Sequence, residues 1–149
     1  MILKKNLIFL ILILFSIIIR FFNINYDNLW FDEILSFWIA DPQLTLQESF
    51  KRHESIEQIP FFYNFLLKIF FNLFGYDSNY GRYLSLIFNI LGIIFATNLC
   101  RIIKVSNSYL FALFLFSTNI FLINYSQELR PYSLVFFFMF CLFISFLQN

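Results

Sequence analysis

The sequence predicts an all-α integral membrane protein of about four transmembrane helices, with an amphipathic helical loop on its outer face. Three observations predict it. Apolar residues make up 60% of the 149-residue chain, and the mean hydropathy is +0.76, whereas soluble domains are about half apolar or less. Only 13% of the chain is charged, about half the usual soluble share. The apolar residues collect into runs of nearly spanning length, and the charges collect between them.

The same composition excludes several function classes. Cys100 and Cys141 lie in or beside apolar runs and read as small buried hydrophobes, with no disulfide framework or metal-thiolate spacing. His53 is the only histidine, which rules out an all-histidine metal site. The three glycines stand far apart, so no phosphate-cradling loop and no Rossmann-type nucleotide domain is supported. A net charge of +1 gives no reason to expect nucleic acid.

Four runs approach the roughly 20 apolar residues that cross a bilayer. They are about Asn6 to Phe22, about Tyr83 to Ile103, about Ser108 to Tyr125, and Pro131 to about Leu147. The first also fits a signal peptide. However, Arg20, Phe21 and Phe22 stand where a small-residue cleavage site belongs, so an uncleaved anchor is expected. A fifth stretch, PFFYNFLLKIFFNLFG from Pro60 to Gly75, is shorter and carries Lys68. If it does not span, Lys4, Lys5, Arg101 and Lys104 share one side, the cytoplasm, and all nine acidic residues share the other. If it spans, Arg101 and Lys104 fall outside, against the usual bias. The stretch is therefore expected to lie in the outer interface, with Pro60 and Gly75 marking its helix boundaries; a short tilted span is the alternative. Residues 1–149 thus form one transmembrane domain with its N-terminus inside, an outer loop at 23–82 and a second outer turn at 125–131.

The outer loop opens with NLWFDEILSFWIA, where two carboxylates sit among tryptophans and phenylalanines. Phe31, Ile34, Leu35 and Trp38 follow helical spacing and form one apolar face, while Asp32 and Ser36 share another. Tryptophans suit the membrane–water boundary, so a surface helix is expected, capped by Asp27 or Asn28. Asp32 and Glu33 have two readings. Acids in a first helical turn favour the helix dipole; alternatively, a carboxylate here is a general base within reach of a lipid-carried substrate. Glu128 and Arg130 lie in the short turn SQELRP, on the same outer side. Arg130, like Arg82 at the start of the second span, either pairs with a phosphate or anchors the headgroup region. In KRHESIEQIP, His53 and Glu57 are four apart and would face one ligand if helical, although a solvated loop is the plainer reading.

In this order the residues resemble the membrane glycosyltransferases of the GT-C class. The nearest group is the RgtA/B/C/D-like one, related to aminoarabinose transferases and protein O-mannosyltransferases. The matching elements are WFDE, IPFFYNFLLKIFFNLFG, RYLS and SQELRPYSL, which span nearly the whole chain. The resemblance implies transfer of a sugar from a polyprenyl-phosphate carrier to a lipid or glycan hydroxyl, with inversion, on the outer face of the inner (plasma) membrane. It implies Asp32 as the general base, Glu33 as support for Asp32 or the fold, and Glu128 as a second acidic site residue. Arg130, Arg82 and Tyr132 would attend the carrier phosphate, or Arg130 would brace the loop. A divalent metal stays open, with Glu128, His53 and Glu57 as its candidate ligands. The family commonly places two prolines after a polar residue, where this chain has Gln58, Ile59 and Pro60. Family members are also far longer, so these residues are expected to form the N-terminal part of such an enzyme.

Two rival classes remain. A non-catalytic membrane subunit or scaffold would suit four spans. A transporter fragment would need charges inside the spans, where the sequence shows neutral residues such as Asn89, Asn98 and Asn119.

Overall fold

The computed structural model describes residues 2–22, 24–103 and 108–148. Lys104, on which the expected inner turn partly rests, and Asn23, the first residue of the outer loop, lie outside them. Among the described residues the chain forms eight α-helices and no strand. They are α1 (Ile2–Phe21), α2 (Phe31–Ile39), α3 (Leu46–Ile56), α4 (Phe62–Phe74), α5 (Ser78–Ile102), α6 (Ser108–Thr118), α7 (Ile120–Ser126) and α8 (Tyr132–Gln148). The central helix is α5, which packs most closely against α8 and also touches α1, α4, α6 and α7.

Local chemistry explains several boundaries. The Thr45 hydroxyl accepts from the Glu48 amide at 3.3 Å while Glu48 accepts from the Thr45 amide at 2.8 Å, a reciprocal cap that starts α3. Gly75 ends α4 at a φ of 109°, a conformation that side chains with a Cβ resist. Asp77 caps α5 by accepting from the Asn79 amide at 2.9 Å. This cap starts α5 five residues before the expected span, so Arg82 lies inside the helix rather than at its mouth. Neither Asp27 nor Asn28 caps α2. Trp30 holds the N-cap position, and the Glu33 carboxylate reaches back to its amide at 3.3 Å.

Among the described residues, α5 is the one helix long and apolar enough to cross a membrane. The expected third span is broken: α6 and α7 meet at an angle of 61° across Asn119. The α8 helix agrees with the fourth expected run but has 17 residues, a rise of about 26 Å. The stretch expected to lie in the interface is α4, with 13 residues; its Lys68 is buried and donates to the Asp41 carbonyl.

The distribution of polarity is inverted relative to a water-soluble domain. Arg20, Glu33, Asn64, Asn89, Arg82 and Arg130 are all buried, whereas Leu10, Ile18, Phe111, Val135, Leu142 and Phe146 are exposed. The same holds on α2: Glu33, Ser36 and Ile39 face inward, and Phe31, Ile34 and Trp38 face out. A small apolar cluster of Ala40, Tyr63, Leu67, Phe71, Leu84, Leu129 and Leu134 joins α4, α5 and α8 beneath the turn at 127–130. Gly81 makes that junction close. A Cβ there would stand 2.4 Å from Leu129 Cδ1.

Candidate functional site

The site is assembled from three distant segments: the α2 approach, the second turn of α5, and the turn between α7 and α8. Glu33 joins them. It is almost fully buried and pairs with Arg82 through Nη2 at 2.9 Å and Nε at 3.2 Å. It also accepts from the Leu129 amide at 2.7 Å. Arg82 spends its remaining donors on the carbonyls of Ile24 (3.0 Å), Asp27 (2.8 Å) and Asn28 (3.5 Å). Its guanidinium is thus fully occupied with holding the outer loop against α5, which leaves it no donor for a phosphate.

Arg130 lies on the other side of α2. Its Nη1 donates to Glu57 Oε1 at 2.6 Å, to Ser36 Oγ at 3.2 Å and to the Asp32 carbonyl at 3.2 Å. Its Nε is buried and, among the described residues, has no partner. Burial opposes its charge, but the hydrogen-bonded Glu57 carboxylate, Asp32 and Tyr132 together outweigh burial and hold the pKa above the ordinary arginine value. Asp32 is half-buried. Its carbonyl is engaged by Ser36 and Arg130, but among the described residues its carboxylate accepts no hydrogen bond. That carboxylate acts electrostatically on both Arg130 and Glu128.

Glu128 carries the second unmet group, for its Oε2 is buried and, among the described residues, has no partner. Burial and then the Glu33 carboxylate push its pKa up, against Arg130 and Arg82. It lines a cleft of about 440 Å³ together with Ile24, Asp27, Asn28, Trp30, Glu33, Arg82, Asn124 and Gln127. Tyr132 is exposed at the edge of the turn, its ring 4.7 Å from that of Tyr125.

The candidate metal ligands do not converge. Among the described residues no group of three or more His, Cys, Asp or Glu side chains could hold a metal ion. His53 is buried, with Nε2 2.6 Å from the Ile59 carbonyl and Nδ1 3.1 Å from Asn64 Nδ2. The first contact requires a proton on Nε2 and the second a lone pair on Nδ1, so neither nitrogen is free. Glu57 is spent on Arg130 rather than sharing a ligand with His53. Neither the solvated-loop reading nor the metal reading of this segment describes what it does. Held in this way, these residues do not form a metal centre among the described residues.

Arg20 is the residue that sequence reasoning missed. It is fully buried and reaches Asn89 Oδ1 (2.8 Å), Ser16 Oγ (2.8 Å), and the carbonyls of Phe116 (2.8 Å) and Ser117 (3.0 Å). Those carbonyls are among the last four of α6, so Arg20 satisfies part of the helix end that precedes the break. Asn89 continues the network to the Leu122 carbonyl (3.1 Å) and Ser133 Oγ (3.3 Å). Gln127 donates to the carbonyls of Arg20 (3.0 Å) and Phe22 (2.8 Å), tying the site turn to the end of α1. The available signal was Ser16 and Arg20, one helical turn apart in an otherwise apolar run.

Comparison with known proteins finds no match among family models, curated proteins or solved structures.

Proposed function

We propose that the chain forms the outer catalytic face of an integral membrane glycosyltransferase, which moves a sugar from a polyprenyl-phosphate carrier onto a hydroxyl acceptor. One observation carries the reading. A carboxylate free of hydrogen bonds, Asp32, lies in the field of an arginine whose Nε is unmet and of a carboxyl group whose Oε2 is unmet. Buried polar atoms are normally satisfied within the protein, so unmet ones that gather at one turn suit a bound substrate. On this reading Asp32 takes the acceptor hydroxyl's proton. The hydroxyl oxygen then bonds to the anomeric carbon as the bond from that carbon to the phosphate oxygen breaks. The phosphate leaves as an anion beside Arg130, which shares its charge between that phosphate and Glu57. Glu33 and Arg82 position the loop and take no part in the proton or sugar transfer.

The inverted polarity supports a membrane setting. Four spans by α1, α5, the α6–α7 pair and α8 are part of the proposal, as is an outer position for α2, α3 and α4. Buried polar groups joined by hydrogen bonds are how helices associate in lipid. Asp32→Asn keeps the shape and removes the base. It is expected to lower transfer of label from a polyprenyl-phosphate sugar by at least ~100-fold, the smaller end of general-base effects, at unchanged protein level. Normal transfer by this variant would overturn the role of Asp32. Indifference to both Asp32 and Glu128 substitution would favour a non-catalytic subunit.

A further inference from the structure

We infer that the cleft between the α2 approach and α7 binds a saccharide, neutral or amino-bearing; its assignment as the acceptor rests on the transferase reading above. The cleft measures about 440 Å³, within the range of small-molecule sites. Its charge argues against an anion. Asp27, Glu33 and Glu128 line it against a single cation, Arg82, whose donors are all taken. A carrier phosphate would meet repulsion here, and Arg130, which retains an unmet donor, does not line it. Its lining is also polar, which argues against a lipid chain.

What it offers instead is an aromatic surface flanked by neutral and acidic hydrogen-bonding groups. Trp30 lines the cleft and is 54% exposed as a residue; the negative face of an indole suits the weakly positive C–H surface of a sugar ring, or an ammonium group. The Asn28 and Asn124 amides, both on exposed residues, each provide donors and an acceptor for paired hydroxyls. Glu128, which lines the cleft, supplies through its carboxyl group a further acceptor or, when protonated, a donor. Glu33 lines this cleft and the preceding residue, Asp32, does not. On the transferase reading, an acceptor sugar held beside Glu128, whose carboxyl group lies in the field of Asp32, would extend a hydroxyl toward that base, while the carrier phosphate would lie on the Arg130 side.

The two tryptophans of the chain make the test selective, since Trp30 lines the cleft and Trp38 stacks under Arg52 at 4.1 Å, away from it. The measurement is saturation-transfer-difference NMR on the full chain in detergent micelles. The probes are methyl α-glucopyranoside, methyl α-mannopyranoside, methyl α-galactopyranoside and glucosamine. Saturation is expected to reach the ring protons of at least one sugar. It should fall at least fivefold in Trp30→Ala and in Asn124→Ala, both surface changes, and persist in Trp38→Ala. Transfer to none of the four would overturn the inference. So would a signal that survives both cleft variants or falls equally in Trp38→Ala. Binding in a chain that shows no transferase activity supports the cleft and removes the acceptor role; transfer without cleft binding overturns the cleft alone.

Discussion

Glu33 accepts from the amides of Trp30 and Leu129 and from two nitrogens of Arg82, so one carboxylate fixes three segments. Breaking a buried ion pair by removing one partner leaves the other charge uncompensated and costs about 3–5 kcal/mol. Glu33→Gln is expected to destabilise the protein by roughly that amount in denaturant titrations in micelles; a loss below about 1 kcal/mol would show that the pair is not what holds the loop. Glu128 behaves in the opposite sense. Its folded-state pKa is raised, so between its ordinary value of 4.5 and that raised value the folded state binds more protons than the unfolded one. Stability therefore falls as pH rises through this window. Glu128→Gln is expected to flatten that decline, measured by melting temperature as a function of pH; an unchanged slope would place the proton elsewhere.

On the scale of elements, the break between α6 and α7 is the clearest departure from hydropathy. A largely apolar run from Ser108 reads as one span, yet three polar groups divide it. Arg20 takes two of the last four carbonyls of α6, the Thr118 hydroxyl bonds back to the Phe114 carbonyl at 2.9 Å, and Asn119 caps α7 by accepting from the Leu122 amide at 3.1 Å. Asn119→Ala removes an N-cap and is expected to cost about 0.5–2 kcal/mol in thermal unfolding. An unshifted melting temperature would mean that Arg20 and Thr118 maintain the break without the cap. The α2 helix shows what periodicity can and cannot say. The face made by Phe31, Ile34 and Trp38 is legible from spacing, but spacing does not reveal that this face points outward. That is decided by Arg82, Arg130 and Leu129, which give the opposite, polar face its partners.

For the whole molecule, apolar side chains on the outside and hydrogen-bonded polar ones inside match lipid as the surrounding solvent. In water such an exterior would be an aggregation liability, since soluble monomers rarely expose contiguous apolar patches beyond a few hundred Å². The chain is expected to stay in the membrane pellet after alkaline carbonate extraction of cells that express it. Recovery in the supernatant would refute the integral-membrane proposal.

Composition and hydropathy by themselves determined an all-helical chain rich in apolar surface, with helices at each expected run and boundaries close to those marked by Gly75 and Pro131. They also drew attention to Asp32, Glu33, Glu128, Arg130 and Arg82, because charge is scarce here and costly near apolar groups. Tertiary structure alone divided those residues by task. Arg82 and Glu33 neutralise each other and hold the loop, Glu57 leaves its own segment to pair with Arg130, and Asp32 and Glu128 keep oxygens without partners. The physical reason is that an ionisable group's role depends on which opposite charge comes within hydrogen-bonding distance. In this chain those partners lie 49 and 73 positions apart, beyond the reach of any local pattern.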